Sequence, residues 1–192
     1  LFISIIFLYQ IGSLFGIENT ISYKQERLFG WINSFGNNSS NSQSYFSLLA
    51  LANGGLFGRG IGDSVFKYNG FIPEGQTDFI LAIIGEEIGF LGILIIFSLF
   101  FILFIKGIDI AKNCSNRFGI FLSVGITINI FFYLLINASY VIGLLPTTGL
   151  PIPFISYGGS QTIFTLMSLG ILINIEKSNL KNRNYKYYYE ST

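Results

Sequence analysis

The 192-residue chain is 51% hydrophobic and only 11% charged, contains 21 Phe, and has a formal net charge of +1. Soluble domains carry about a quarter charged residues, so this composition excludes an ordinary water-soluble domain and points to a chain built for lipid. The net charge says nothing about nucleic acid, because the charges are segregated, and no nucleic-acid partner is expected; a single cysteine (Cys114) excludes an intramolecular disulfide, and the absence of histidine leaves carboxylates, Tyr, Lys and one thiol for any proton transfer.

Crossing a bilayer takes about 20 mostly apolar residues, and four segments are expected to do so. The first is 1–17. It opens at Leu1 inside an apolar run, with no charged n-region or cleavage site, and reads as the tail of a longer helix rather than a signal peptide. The chain is therefore expected to be the C-terminal portion of a larger protein.

Residues 18–77 form a loop too long for a connector, and loops of that size tend to be functional. Its middle, GNNSSNSQ (36–43), is polar, whereas 28–35 and 45–52 are apolar enough to lie on or dip into the membrane surface. The run GGLFGRGIG follows, with Gly54, Gly55, Gly58, Gly60 and Gly62. A phosphate cradle of the Walker type would need a Gly-Lys-Ser/Thr ending that is missing, so the run is expected to make tight turns and close helix contacts. Arg59 and Lys67 remain as cations able to meet a pyrophosphate at the membrane surface.

The second span, 78–105, opens on PEGQTDF. Asp78 is expected in the first helical turn, with Thr77 as N-cap. There it either complements the helix dipole or acts as a general base at the water–lipid boundary. Glu86 and Glu87 would lie about 12–14 Å deeper on a continuous helix, as structural polar groups or as an intramembrane functional site. A loop at 106–117 leads to a third span, 118–145, which carries no charge. Next comes LLPTTGLPIPFISYGGS (144–160). Its prolines and glycines demand a fixed non-helical turn, and its Ser156 and Tyr157 offer hydroxyls at the mouth of the bundle, so it is a rigid cap or a substrate contact. The weakest span, 160–175, precedes a tail at 176–192.

Lys106, Lys112 and Arg117 in one short loop, and Lys177, Lys181, Arg183 and Lys186 in the tail, put both segments on the cytoplasmic side. The loops 18–77 and 146–159 are then outside. The expected fold class is all-α, a polytopic transmembrane helix bundle with about four spans and a large extracellular loop.

Three segments in this order, QSYFSLLALANGGLFGRGIGDS, IPEGQTDFILAIIGEEIGFLG and LLPTTGLPIPFISYGGS, resemble the SEDS family of FtsW, RodA and SpoVE. The likeness covers nearly the whole chain short of the tail and leans towards FtsW and SpoVE. It implies about ten spans in a complete member, of which the last four are here, in a bacterial cytoplasmic membrane; the earlier spans would line the lipid groove. It also implies peptidoglycan glycosyltransferase activity in division or cell shape: lipid II polymerised outside the membrane, beside a class B penicillin-binding protein, with a divalent cation (Mg or Mn) as an optional cofactor. Asp78 matches the aspartate held essential in the family, with Arg59, Lys67, Glu74, Ser156 and Tyr157 as substrate contacts. Two features depart from the family pattern. Gln76 stands where members often have His, and LFGWINSFGNN, after the basic Arg27, lacks the usual Asp-Pro. A flippase for the lipid-linked precursor, using Glu86 and Glu87, and a scaffold that only recruits the penicillin-binding protein are the alternatives.

Overall fold

The computed structural model describes residue 31 and residues 43–68, 70, 72 and 75–190, with side chains described as far as residue 180. The expected span 1–17, Arg27, most of the polar stretch 36–43, and Glu74 lie outside the described residues. The helices bounded among the described residues are α1 (Gln43–Gly54), α2 (Val65–Tyr68), α3 (Ile80–Glu87), α4 (Phe90–Lys112), α5 (Arg117–Val141) and α6 (Gly159–Glu190). No strand occurs among the described residues.

Among the described residues, α4 and α5 are the two helices long and apolar enough to cross a membrane. Their outward faces carry large apolar side chains, among them Leu99 at 60% and Phe121 at 75% exposure, as expected of helices solvated by acyl chains. The two pack closely because small residues meet across the interface. A Cβ at Gly107 would lie 2.0 Å from Thr127 Oγ1, and one turn on, Phe104 and Phe131 stack with centroids 4.9 Å apart. Without a hydrophobic drive between helices in lipid, such close approach supplies the van der Waals contact that holds them. The Thr127 and Ser123 hydroxyls donate to the carbonyls of Ser123 and Gly119, so no buried hydroxyl is stranded in this interface.

Four element boundaries differ from the sequence expectation. The single helix expected over 78–105 is two, α3 and α4, separated at Ile88 and Gly89. Gly89 has φ 81°, a left-handed conformation that breaks helical progression and suits glycine. Phe90 and Leu91 then donate their amides to Gly55 O and Leu56 O of the glycine-rich run at 2.9 and 3.3 Å. The Glu86 and Glu87 spacing deduced from a continuous helix therefore does not apply, and α4 by itself, at 23 residues, is about 34 Å long. The loop expected at 106–117 shrinks to 113–116, because α4 keeps Gly107 and Ala111 buried against its neighbours through Lys112. α5 starts at Arg117, where Asn116 accepts from the Phe118 amide, and stops at Val141 rather than 145. The fourth helix begins at Gly159 and runs into the tail to Glu190 instead of ending at 175.

The loop segment joins this frame through α1, which lies on α3. Gly54 makes that packing feasible: a Cβ there would sit 1.9 Å from the Gly85 carbonyl oxygen. Ser47 Oγ donates to Val141 O at 2.7 Å and Trp31 Nε1 to Gly143 O at 2.9 Å, so the end of α5 and the residues just after it hold Ser47 and Trp31.

Candidate functional site

The residues singled out in the sequence separate into two groups, one at each end of α3. Glu86 governs the C-terminal end. It is fully buried, and four donors converge on its carboxylate: Asn53 Nδ2 at 2.9 Å, Ser64 Oγ at 2.5 Å, and the amides of Val65 at 3.1 Å and Phe66 at 3.4 Å. The first turn of α2 thus receives the acceptors a helix start lacks, with Ser64 Oγ also accepting from Lys67 N. The main chain repeats the clasp, since Arg59 N donates to Glu86 O and Gly60 N to Glu87 O, both at 3.0 Å. The glycine-rich run is therefore a backbone-to-backbone seam. The close-contact expectation describes it, and no phosphate cradle forms within it. Arg59 is exposed on this seam and Lys67 sits on α2, its Nζ 5.9 Å from the Tyr68 ring centroid.

Asp78 lies at the other end. It stands in a turn spanning 75–79, ahead of α3, whose cap position is Phe79 with no side-chain cap bond. Neither Asp78 in the first helical turn nor Thr77 as N-cap is observed. The reason is that the main chain here is held by other elements. Asn137 Nδ2 and Tyr140 Oη, both on α5 and both buried, donate to the Asp78 carbonyl at 2.9 and 3.0 Å. Tyr157 N donates to Gln76 O at 3.0 Å, and the Phe79 ring packs edge-on against Tyr140 at 5.7 Å. Asp78 itself is half-buried.

The 144–160 loop closes over this turn. Ser156 is buried, and its Oγ accepts from the Ile152 amide at 2.8 Å, so its hydroxyl shapes the loop. Tyr157 is 82% exposed, its ring available at the surface beside Gln76. Phe154 adopts φ 68°, an outlier for a bulky residue that neighbours must enforce; the flanking Ile152–Ser156 turn and the Phe100 ring at 6.5 Å do so. Asp78, Ser156 and Tyr157 therefore share one corner, while Arg59, Lys67, Glu86 and Glu87 belong to the seam at the far end of α3. Sequence reasoning missed Asn137 and Tyr140. The signal was available, since an Asn inside an uncharged span is costly unless it has work to do. Among the described residues no group of three or more His, Cys, Asp or Glu side chains gathers to ligate a metal ion.

A family model described as "Cell cycle protein", covering FtsW, RodA and SpoVE, matches residues 1–181. The chain is 39% identical over 163 residues to the Geobacter metallireducens protein named "Probable peptidoglycan glycosyltransferase FtsW", covering 84% of this chain and 43% of that one. It is 47% identical over 138 residues to the Bacillus subtilis protein of the same name, covering 72% of this chain and 34% of the other. Against the Bacillus subtilis stage V sporulation protein E it is 40% identical over 168 residues, covering 87% of this chain and 46% of the relative. The chain thus spans less than half the length of the curated relatives it matches. A chain from a solved peptidoglycan synthase complex shares the fold, with TM-score 0.61 and 21% identity over 93% of this chain and 49% of its own. With the match running over nearly all of its length, the chain belongs to the FtsW/RodA/SpoVE family of integral membrane proteins.

Proposed function

We propose that the protein is a peptidoglycan glycosyltransferase that extends glycan strands from lipid II at the outer face of the cytoplasmic membrane, working beside a class B penicillin-binding protein. The observation that carries this reading is the treatment of Asp78: a half-buried carboxylate whose main chain is fixed between α5 and the 144–160 loop. A general base must be held within hydrogen-bond reach of the proton it takes, and a fixed main chain in the turn leading into α3 meets that need. Relatives carrying the glycosyltransferase name support the same assignment.

In the reaction, the 4-hydroxyl oxygen of the acceptor sugar attacks the anomeric carbon of the donor. The carbon–oxygen bond to pyrophosphate breaks, the polyprenyl pyrophosphate leaves with the bonding pair, and the anomeric centre inverts. The hydroxyl proton passes to an Asp78 carboxylate oxygen. Tyr157, in the same corner as Asp78, offers an exposed ring and hydroxyl to the sugar, whereas Arg59 and Lys67, at the far end of α3, have no part in this step. A divalent cation, Mg or Mn, would be brought by the pyrophosphate. The basic segment 106–117, with Lys106, Lys112 and Arg117, and the basic tail face the cytoplasm in this arrangement.

The test is glycan-strand synthesis from lipid II by the membrane-embedded protein with its penicillin-binding partner at constant level. Asp78→Asn is nearly isosteric and cannot take the proton, so the rate should fall about a hundredfold to ten-thousandfold, with Asp78→Glu intermediate. Near-normal polymerisation by Asp78→Asn would refute the catalytic assignment and leave a scaffold as the better reading.

A further inference from the structure

Asn137 and Tyr140 do more than satisfy the Asp78 carbonyl. The same Asn137 Nδ2 donates to Leu150 O at 3.0 Å, and the same Tyr140 Oη to Leu150 O at 2.8 Å. Two backbone carbonyls, one in the Asp78 turn and one in the 144–160 loop, therefore meet on one pair of side chains, each fully buried. The accounting is tight. The amide supplies two N–H groups and the phenol one O–H, so three hydrogens serve two carbonyl oxygens, and the two donors also touch each other. Asn137 Oδ1 is buried with no hydrogen-bond partner. An amide facing three oxygens must turn its nitrogen towards them, which fixes its orientation and marks it as a donor only.

We propose that Asn137 and Tyr140 are positioning residues: they clamp the Asp78 turn to the 144–160 loop, so that Asp78 and the face of that loop are presented as one unit to the reacting sugar. The Tyr157 amide on Gln76 O is the outer edge of the same joint. Neither side chain touches substrate; each acts through the main chain of Asp78. The assignment rests on Asp78 being the general base, while the existence of the clamp does not.

Two measurements on the membrane-embedded protein test it. The first is hydrogen exchange of peptides covering 75–80 and 146–158. Asn137→Ala and the double variant Asn137→Ala/Tyr140→Phe should exchange faster in both peptides together, with α4 unchanged. The second is glycan synthesis. Asn137→Ala should lower kcat about tenfold to a hundredfold, the scale of an ångström-sized misplacement, with KM for lipid II within about twofold. Asn137→Asp should be worse than Ala, since it sets an acceptor against two carbonyls. Asn137→Ser, which can serve one carbonyl, should fall between native and Ala and guards against a variant that fails to fold. Tyr140→Phe leaves both amide hydrogens in place and should stay within about threefold. In an Asp78→Glu background, whose geometry is already displaced, Asn137→Ala should lose less than it does alone; a role in general stability would multiply instead. Unchanged exchange in both peptides overturns the clamp. Faster exchange with undiminished kcat overturns the positioning role. If Asp78→Asn proves active, the general-base reading fails, and exchange still decides whether the clamp exists.

Discussion

Glu86, near the end of the eight-residue α3, and Asp78, in the turn before it, are carboxylates at opposite ends of one helix, the first fully buried and the second half-buried. At Glu86 the protein binds the side chain itself, with four donors on two oxygens and no exposure. At Asp78 two buried donors of α5 hold the carbonyl, and the residue is half-buried in the turn that precedes α3. A carboxylate that accepts every bond its oxygens can hold is a fastener. One whose carbonyl is gripped is a group held in place. The comparison also bears on transport. A flippase would need exchangeable polar groups at mid-bilayer, and Glu86 is committed to the seam with the glycine-rich run.

The sharpest way to break this contrast is Glu86→Ala. It removes the shared acceptor of the buried Ser64 hydroxyl and of the Val65 and Phe66 amides, and a buried donor left without its partner costs about 1–3 kcal/mol. Thermal unfolding in detergent should show a large drop or no folded protein. Glu86→Gln keeps the shape but turns an NH2 towards donors, so it should lie between Ala and native. A Glu86→Ala protein as stable as the native one would mean the seam does not depend on this carboxylate.

Next in size is Gly89→Ala, which tests the seam from its backbone side. Its φ of 81° strains any side chain, and a Cβ would stand 2.3 Å from Gly58 N. Backbone strain alone is worth about 1–3 kcal/mol, and the clash must also push the glycine-rich run off α4. The measurement is again the unfolding midpoint. Native-like stability would show that the close approach is slack.

Much of this was legible in the sequence, for identifiable reasons. Composition and run length revealed α4 and α5, because lipid selects apolar residues around the whole circumference. The glycine spacing pointed to close contacts, and close contacts are what Gly54 and Gly58 make. The break at Gly89 was not legible. IGEEIGFLG reads as a continuing helix, and the partners of the Phe90 and Leu91 amides, Gly55 and Leu56, sit more than thirty residues upstream. Nor could spacing tell which of two adjacent glutamates would face the run. Asn137 was visible as a polar residue in a span, but both carbonyls it serves belong to other segments and become neighbours only in the folded bundle.

The smallest effect is expected at Glu87, and it sharpens the comparison most cleanly because only one position separates it from Glu86. Its carbonyl accepts from Gly60 N at 3.0 Å, a bond that any residue here can make. The side chain is half-buried and outside the four-donor cluster. Glu87→Gln should therefore shift stability by no more than about 0.5 kcal/mol, the scale of substitutions away from buried networks. Glycan synthesis should stay within experimental error of native. The two glutamine variants, measured side by side, separate burial of a carboxylate from its presence in the sequence. If Glu87→Gln instead abolishes movement of lipid-linked precursor across vesicles while polymerisation persists, the pair serves transport, and the seam is part of a polar pathway rather than a fastener.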